Sequence, residues 1–560
     1  MKDALSILSS GKVLLATVSG ASSTKPQMIE YFDQEVPAID IITTKSFQVR
    51  VNPGNREPVI CETETGCFGN SVGLRNCGME EAEKELSSLH LRALLNVSLS
   101  ASSPEDFITL LRTLSPYGDM VELNFSCPHA AKGYGASIGC DAAIASHYVA
   151  EIRKALPFLR VPLFVKLTPN VEDIGAIAKA CVDAGADGVT AINTVGPVVH
   201  IDPASGKPVL LNKLGGKGGM SGRWVREKAL EAVASIRRAI GKEIPIIGMG
   251  GVFTGEDAKA MIAAGTNAVG IGSALAMVNQ RVWPEYLESV KKEAEGEKPK
   301  DSSFSFLRTG RAMAYVRHTV EKIERHGSDI SVIQLDGNLP SEAGQFVFLW
   351  LPGVGEKPFS VATTEPLSFV IKGRGTVSDA LCSLKEGEEV YLRGLYGAPV
   401  EVKETKHALL IAGGTGVAVL PMLCAKLKRQ GTEMRILVGT SGEKEEKPLL
   451  HEELTPYGEY TTVADDGKPG RALSLLDDME FPPGMAVYLV GPEKFMSVAC
   501  AKLISRGVPS SMISLSMERL TRCGVGLCGE CVCGHRLACQ WGTFMEYDYL
   551  KKEAPELLLL

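Results

Sequence analysis

The sequence has no surplus of positive charge: 59 Lys and Arg stand against 66 Asp and Glu, a formal net charge of −7. Such a balance offers no broad phosphate-binding surface, and nucleic acid is not an expected partner. The opening MKDALSILSSGKVLLATVSG lacks a basic region leading a long apolar core. It does not read as a secretion signal, so the expected location is the cytoplasm. Long uncharged runs are scarce as well. One, ALLIAGGTGVAVLPMLCA from Ala408 to Ala425, could imitate a membrane span. Its middle argues otherwise, because Gly-Gly-Thr-Gly between ALLIA and VAVLPMLCAKLKRQG reads as a buried strand, a tight turn and a helix. No membrane is expected.

Cysteine, by contrast, is plentiful at 14 residues. Without an export signal these are expected to be reduced thiols, metal ligands or catalytic groups rather than disulfides. At 560 residues the chain also exceeds what one hydrophobic core supports. The run KKEAEGEKPKDSS, Lys291 to Ser303, is charged and carries Gly and Pro, which marks a helix end running into a linker at 291–304.

Before that linker, short apolar runs alternate with amphipathic segments: VPLFVKLTPN, VEDIGAIAKACVDAGA, DGVTAINT, then IPIIGMGG, TGEDAKAMIAAG and NAVGIGS. Nearly continuous apolar strands are what a parallel sheet buried on both faces requires, and residues 1–290 suit a (β/α)8 barrel. GMGGV (Gly248 to Val252) and GIGSA (Gly270 to Ala274) fall where the loops after the seventh and eighth strands would hold a phosphate-bearing cofactor.

ELNFSCPHAAKGYG places Asn124 and Cys127 just past a strand end, where barrel enzymes carry catalytic groups. A lone cysteine is more often buried filler. This one has company: Lys45 in TTKS, Asn70 in GNSVGLRN, Asn96 in LNVS, Lys166 in VKLTPN, and Asn193 with Thr194 in AINT all end apolar runs. Side-chain amides present a carbonyl and an NH2 in one plane, which suits a ring edge that alternates C=O and N–H, such as a pyrimidine dione.

With SGAS, TTKS, NSVGLRN, NFSCP, KLTPN, INT, GGMSG, GMGG and GIGS in order, the first 290 residues resemble the catalytic subunit of dihydroorotate dehydrogenase, of the type that works with an NAD-linked electron-transfer subunit. The resemblance implies FMN on Ser19, Lys45, Ser46, Asn96, Asn124, Lys166, Ile192, Gly222, Gly250, Gly251, Gly272 and Ser273. It implies substrate on Lys45, on the loop Asn70, Ser71, Val72, Gly73 and Leu74, and on Asn124, Asn193 and Thr194. Cys127 is then the base that takes a proton from C5 of dihydroorotate. A free thiol ionises near pH ~8.5, so the rate is expected to rise with pH. Lys166 is expected to stabilise the charge of the reduced flavin. One departure stands out: His129 follows Cys127-Pro128 where the family commonly has Asn, and SCPH also resembles dihydropyrimidine dehydrogenase. Oxidation of dihydrouracil or dihydrothymine is therefore the close alternative.

Beyond Phe304 the texture changes to short β-rich runs between Gly, Pro and charged turns, which reads as a small antiparallel barrel over 305–403. KPFSV and KGRGTVSDAL resemble the ferredoxin reductase flavin signatures, implying FAD on Lys357, Pro358, Phe359, Ser360, Gly375 and Thr376, with Lys357 in place of the usual Arg. A Rossmann-like domain over 404–515 would bind NAD at Gly413, Gly414 and Gly416, where a helix N-terminus suits a pyrophosphate. MAVYLVGPEKFM resembles that family's closing segment. TSGEKEEK after MRILVG has no arginine to meet a 2′-phosphate, so NAD is preferred to NADP.

Residues 516–560 hold RCGVGLCGECVCGHRLAC. Cys523, Cys528, Cys531 and Cys539 are spaced C-x4-C-x2-C-x7-C, of which the first three repeat the plant-type 2Fe-2S spacing. Zinc sites usually pair two separated C-x2-4-C knuckles, so a cluster is favoured over zinc, with Cys533 as bystander. The last 255 or so residues thus resemble the electron-transfer subunit of the same NAD-linked dihydroorotate dehydrogenase. The implied path runs from dihydroorotate to FMN, 2Fe-2S, FAD and NAD, in a chain expected to pair through its barrels. A rival reading is a flavoprotein that passes electrons from NADH to an external acceptor.

Overall fold

Eight short strands pair in parallel, each with the next along the chain and the last with the first: Leu15–Thr17, Ile39–Thr43, Leu94–Leu99, Met120–Asn124, Leu163–Lys166, Gly188–Ala191, Ile246–Met249 and Ala268–Ile271. They close a barrel, and helices such as Ile174–Asp183 and Arg226–Ile240 follow the strands in the β/α rhythm of the sequence. The computed structural model describes residues 2–126, 136–440, 448–464 and 471–558. It forms two units, one of Met1–Ala314 with Val525–Glu530, the other of Tyr315–Gly524 with Cys531–Leu560.

The two-residue period of a strand sets what fills the barrel. On the fourth strand Met120, Glu122 and Asn124 share a face, as do Phe164 and Lys166 on the fifth. The lower members, among them Leu94, Met120, Phe164, Ile247 and Ala268, form one buried cluster, joined by Ala4 and Leu8 of the N-terminal helix Ala4–Leu8. Gly188 is glycine because a Cβ there would stand 2.2 Å from the Phe164 ring. One step further along the same strands, Asn96, Ser98, Glu122, Lys166 and Thr190 are buried and polar. Groups of this kind are costly to bury unless their partners are supplied.

An antiparallel sheet built from the loops after the second and sixth barrel strands lies in the order Ile60–Glu64, Cys67–Asn70, Lys217–Gly222, Val195–Val199. The charged stretch expected as a linker begins inside the helix Trp283–Glu295 and is tied down after it. Glu293 accepts from the backbone N–H of Gly255 (3.1 Å) and of Ser303 (3.0 Å). Further on, Arg308 and the N–H of Ala312 both donate to the buried Glu62 at 2.7 Å.

In the second unit, a seven-stranded antiparallel sheet runs from the edge strand Gly355–Ser360 through Phe346–Leu351, Glu389–Tyr396, Tyr315–His326, Ile330–Leu335 and Leu367–Lys372 to the short Thr363–Thr364. A six-stranded sheet follows in the order Gly458–Ala464, Glu433–Thr440, His407–Gly413, Ala486–Val490, Ile513–Ser516, Phe544–Glu546. Its first five strands are parallel and the last is antiparallel. The C-terminal cysteine segment therefore does not stand apart, since its strand Phe544–Glu546 completes this sheet. The helix after the glycine turn also starts later than its apolar pattern implies. Gly414–Val419 is a 3-10 turn and the α-helix is Leu420–Arg429, with Pro421 in the first turn, where a missing N–H costs nothing. Among the described residues no helix is long and apolar enough to cross a membrane.

Candidate functional site

A cavity opens above the polar layer, at the C-terminal ends of the barrel strands. Ser19, Lys45, Ser46, Asn124, Lys166, Ile192, Asn193, Thr194, Gly222, Gly250, Gly251, Gly272 and Ser273 line it, together with Asn70, Val72, Gly73 and Leu74. Two of the expected residues do not reach it. Ser71 is fully buried, and its hydroxyl accepts from the amides of Asn55 (3.0 Å) and Asn212 (2.8 Å), which ties the loop down. Asn96 lies in the layer beneath, its Nδ2 donating to Thr43 Oγ1 at 3.3 Å.

Continuous hydrogen bonding orders the floor. Lys166, 4% exposed, has its Nζ 3.8 Å from Glu122 Oε1, and Ser98 Oγ donates to the same oxygen at 3.0 Å. Asn124 Nδ2 donates to Ser46 Oγ (3.0 Å), which also touches Ser98 Oγ (2.9 Å) and Ser19 Oγ (3.2 Å). On the other side Asn193 Nδ2 donates to Ser126 Oγ (2.8 Å), and that hydroxyl donates to Asn124 Oδ1 (2.8 Å). Two amides, one ending the strand Met120–Asn124 and one in the loop after Gly188–Ala191, are thereby held in fixed orientation. Glu122 Oε2, Asn96 Oδ1 and Thr190 Oγ1 remain buried without a hydrogen-bond partner. These three atoms belong to the polar layer beneath the cavity and do not line it. Glu122, Ser98 and Ser126 were not singled out from the sequence, although Glu122 stands two residues before Asn124 in an apolar strand and so shares its face.

The glycines after the seventh strand have a packing reason. Gly250 and Gly251 have φ of +127° and +73°, and a Cβ would stand 2.8 Å from Ala229 Cβ or 2.6 Å from Arg226 Cβ. Only bare backbone lets the helix Arg226–Ile240 approach and leaves main chain as cavity wall, the surface a phosphate binds. Leu527 also lines the cavity, from the segment Val525–Glu530 of the same unit. That segment is fastened by Ser22, whose N–H donates to Leu527 O (2.8 Å), and by Thr24 Oγ1, which donates to Cys528 O (2.8 Å). No local sequence signal pointed to it. Cys127 and His129 lie outside the described residues.

In the second unit, Lys357, Pro358, Phe359 and Ser360 occupy the edge strand Gly355–Ser360, and the helix Thr376–Cys382, preceded by Gly375, packs against it. Gly413 ends a central strand, His407–Gly413, and Gly414 and Gly416 lie in the 3-10 turn after it. A Cβ on Gly416 would stand 3.0 Å from Val490 on the adjacent strand. The position is at the carboxyl ends of parallel strands, where open α/β sheets take their ligands. Residues 441–447, on which the choice of NAD over NADP rests, lie outside the described ones.

Cys523, Cys531 and Cys539 are buried. Hydrogen bonds that the Cys539 thiol donates toward the Cys523 and Cys531 sulfurs, then burial, hold it well above its usual range. Gly524 has φ +84° and would clash with the Tyr396 ring at 2.8 Å if it carried a Cβ. Cys528 belongs to the segment grouped with the first unit. Among the described residues no trio of His, Cys, Asp and Glu gathers round a point as a single metal ion requires. Thiols sharing protons in a dry pocket are a donor set suited to soft metal, and a two-iron group divides its four sulfurs between two atoms rather than one.

Residues 15–293 match the family model described as dihydroorotate dehydrogenase. The chain is similar to the dihydroorotate dehydrogenase B (NAD(+)) catalytic subunit of Methanothermobacter thermautotrophicus, 41% identical over 42% of this chain and 74% of that one. To the subunit of the same name from Pyrococcus furiosus it is 36% identical, over 50% of this chain and 90% of the relative. A solved NADH-dependent reduced ferredoxin–NADP oxidoreductase, studied for flavin-based electron bifurcation, aligns at 24% identity and a TM-score of 0.37, covering 43% of this chain and 93% of that one. On the barrel match, with more than two thirds of such relatives covered, the chain belongs to the dihydroorotate dehydrogenase family.

Proposed function

We propose that the barrel binds FMN and oxidises dihydroorotate to orotate, and that the second unit passes the electrons through a 2Fe-2S cluster and FAD to NAD. The observation that carries this reading is the floor of the barrel cavity: a buried lysine and two oriented amides, in a chain of that family.

The cavity-lining residues Ser19, Ser46, Lys166, Ile192, Gly222, Gly250, Gly251, Gly272 and Ser273 would hold FMN, with Asn96 beneath them. When bound, FMN supplies the acceptor for a hydride from C6 of the substrate. The protein's part is orientation and proton removal. Lys45 and the loop after Asn70 hold the carboxylate, while Asn70, Asn124, Asn193 and Thr194 meet the alternating C=O and N–H edge of the ring. Cys127 takes the C5 proton on Sγ, and Lys166 supplies positive charge under the site. The Glu122 carboxylate keeps that ammonium in place.

In the second unit, Lys357 to Ser360 with Gly375 and Thr376 would hold FAD, and Gly413, Gly414 and Gly416 the NAD pyrophosphate. Cys523, Cys528, Cys531 and Cys539 would ligate the cluster. The same reading takes two barrels to pair in solution. Steady-state turnover of the purified chain with dihydroorotate, dihydrouracil and dihydrothymine, each with NAD, tests the substrate. Preference for dihydroorotate is expected, because only it carries the carboxylate that Lys45 and the loop would bind. Turnover of either other compound in its place overturns the assignment.

A further inference from the structure

A charged group in the second unit has no place in the scheme so far. Arg393 lies on the strand Glu389–Tyr396 and is 1% exposed. All five of its N–H donors are used. Nε and Nη2 donate to the two oxygens of Glu356 at 2.8 and 2.7 Å, and Nη2 also reaches the carbonyl of Arg522 at 3.3 Å. Nη1 donates to Tyr396 Oη at 2.7 Å and to the carbonyl of Cys523 at 2.9 Å. The guanidinium lies over the Phe348 ring, 3.9 Å from its centroid. Glu356 is equally buried, and its Oε2 accepts a further hydrogen bond from Tyr315 Oη at 2.6 Å.

Stability alone does not account for this arrangement, since buried ion pairs are often replaceable by apolar residues without loss. Its direction is the informative part. The carboxylate takes the Nε–Nη2 edge of the planar fork, and the opposite corner, Nη1, points to the backbone of Cys523. The positive end of a dry, neutral pair is thus fixed against the first cysteine of the C-x4-C-x2-C series. Charge and hydrogen bonding close to the ligands are among the factors that set a cluster's reduction potential.

We propose that Arg393, fixed by Glu356, is a positioning residue for an iron–sulfur cluster on Cys523: it holds the ligand's backbone and raises the cluster's affinity for an electron. The inference rests on the reading of Cys523, Cys528, Cys531 and Cys539 as cluster ligands.

Redox titration of the full-length chain, followed by the electron paramagnetic resonance of the reduced cluster, tests it, with iron and sulfide measured on every sample. Glu356→Gln uncovers the positive charge and is expected to favour reduction about tenfold, about 59 mV upward for a one-electron couple. The double change Arg393→Met with Glu356→Gln removes the charge and is expected to shift the midpoint downward by a similar factor. Arg393→Lys, which keeps the charge, is expected to stay nearer the parent than the double variant does. Opposite shifts at unchanged iron content support the proposal. Midpoints that do not move, or that move in the same direction in both variants, overturn it and leave the cluster assignment standing. A parent chain without iron or a resonance signal overturns the cluster assignment and the inference with it. Should Glu356→Gln alone fail to fold, the double variant, which buries no unpaired charge, carries the test by the sign of its shift.

Discussion

Lys166 and Glu122 are each nearly inaccessible and 3.8 Å apart, so either one without the other is an uncompensated charge in a low-dielectric floor. Glu122→Ala is expected to destabilise the barrel by about 3–5 kcal/mol, and the paired change Glu122→Gln with Lys166→Met by clearly less. Thermal unfolding of the three proteins checks that order. His200 gives a second prediction. It is 3% exposed, stacks on Trp224 with the rings 12° apart, and its Nε2 has no hydrogen-bond partner. Burial lowers its pKa, against a raising contribution from its hydrogen bond with the Gly218 backbone. The unfolded chain therefore binds this proton more tightly than the folded one. Stability is complete above the ordinary histidine pKa of about 6.5 and is lost as pH falls below it. The melting temperature at about pH 5.5 is expected to lie below that at about pH 7.5, and His200→Gln is expected to flatten that slope.

At the scale of elements, the barrel was legible because most of its strands are buried on both faces and several end at or just before a glycine or an amide. The same local logic marked Lys166, a charge between Val165 and Leu167. It did not mark Glu122, whose importance lies in sharing a strand face with Asn124 and touching Lys166 on the next strand. Arg393 and Glu356 were illegible for a related reason: they sit on strands that each pair with Phe346–Leu351 rather than with one another, and neither has a local pattern. The helix after the glycine turn was placed too early because apolar periodicity does not tell a 3-10 turn from an α-helix. The loop after the seventh barrel strand carries its own prediction. Gly251→Ala combines a positive φ with a Cβ 2.6 Å from Arg226, so a cost of about 1–3 kcal/mol is expected from backbone strain, with reduced FMN content in the purified protein. Flavin released on denaturation, measured against protein, checks it.

For the whole molecule, the family match covers residues 15–293, and the remainder rests on motifs, on the two sheets of the second unit and on the cysteine segment. Long-range packing was the part least visible in the sequence. That Val525–Glu530 is grouped with the barrel, and that Phe544–Glu546 completes a sheet begun more than a hundred residues earlier, follows from contacts no local window contains. The proposed reaction oxidises a dihydropyrimidine acid at the barrel and reduces a nicotinamide at the second unit. The most direct test is anaerobic turnover of the purified chain with dihydroorotate and NAD, measuring orotate and NADH together, beside Cys127→Ala. The two products are expected in equal amounts, with a loss of about 10²–10⁴-fold in the variant, which should keep its NADH-dependent dye reduction. Orotate formed without NADH, or a variant as active as the parent, would contradict it.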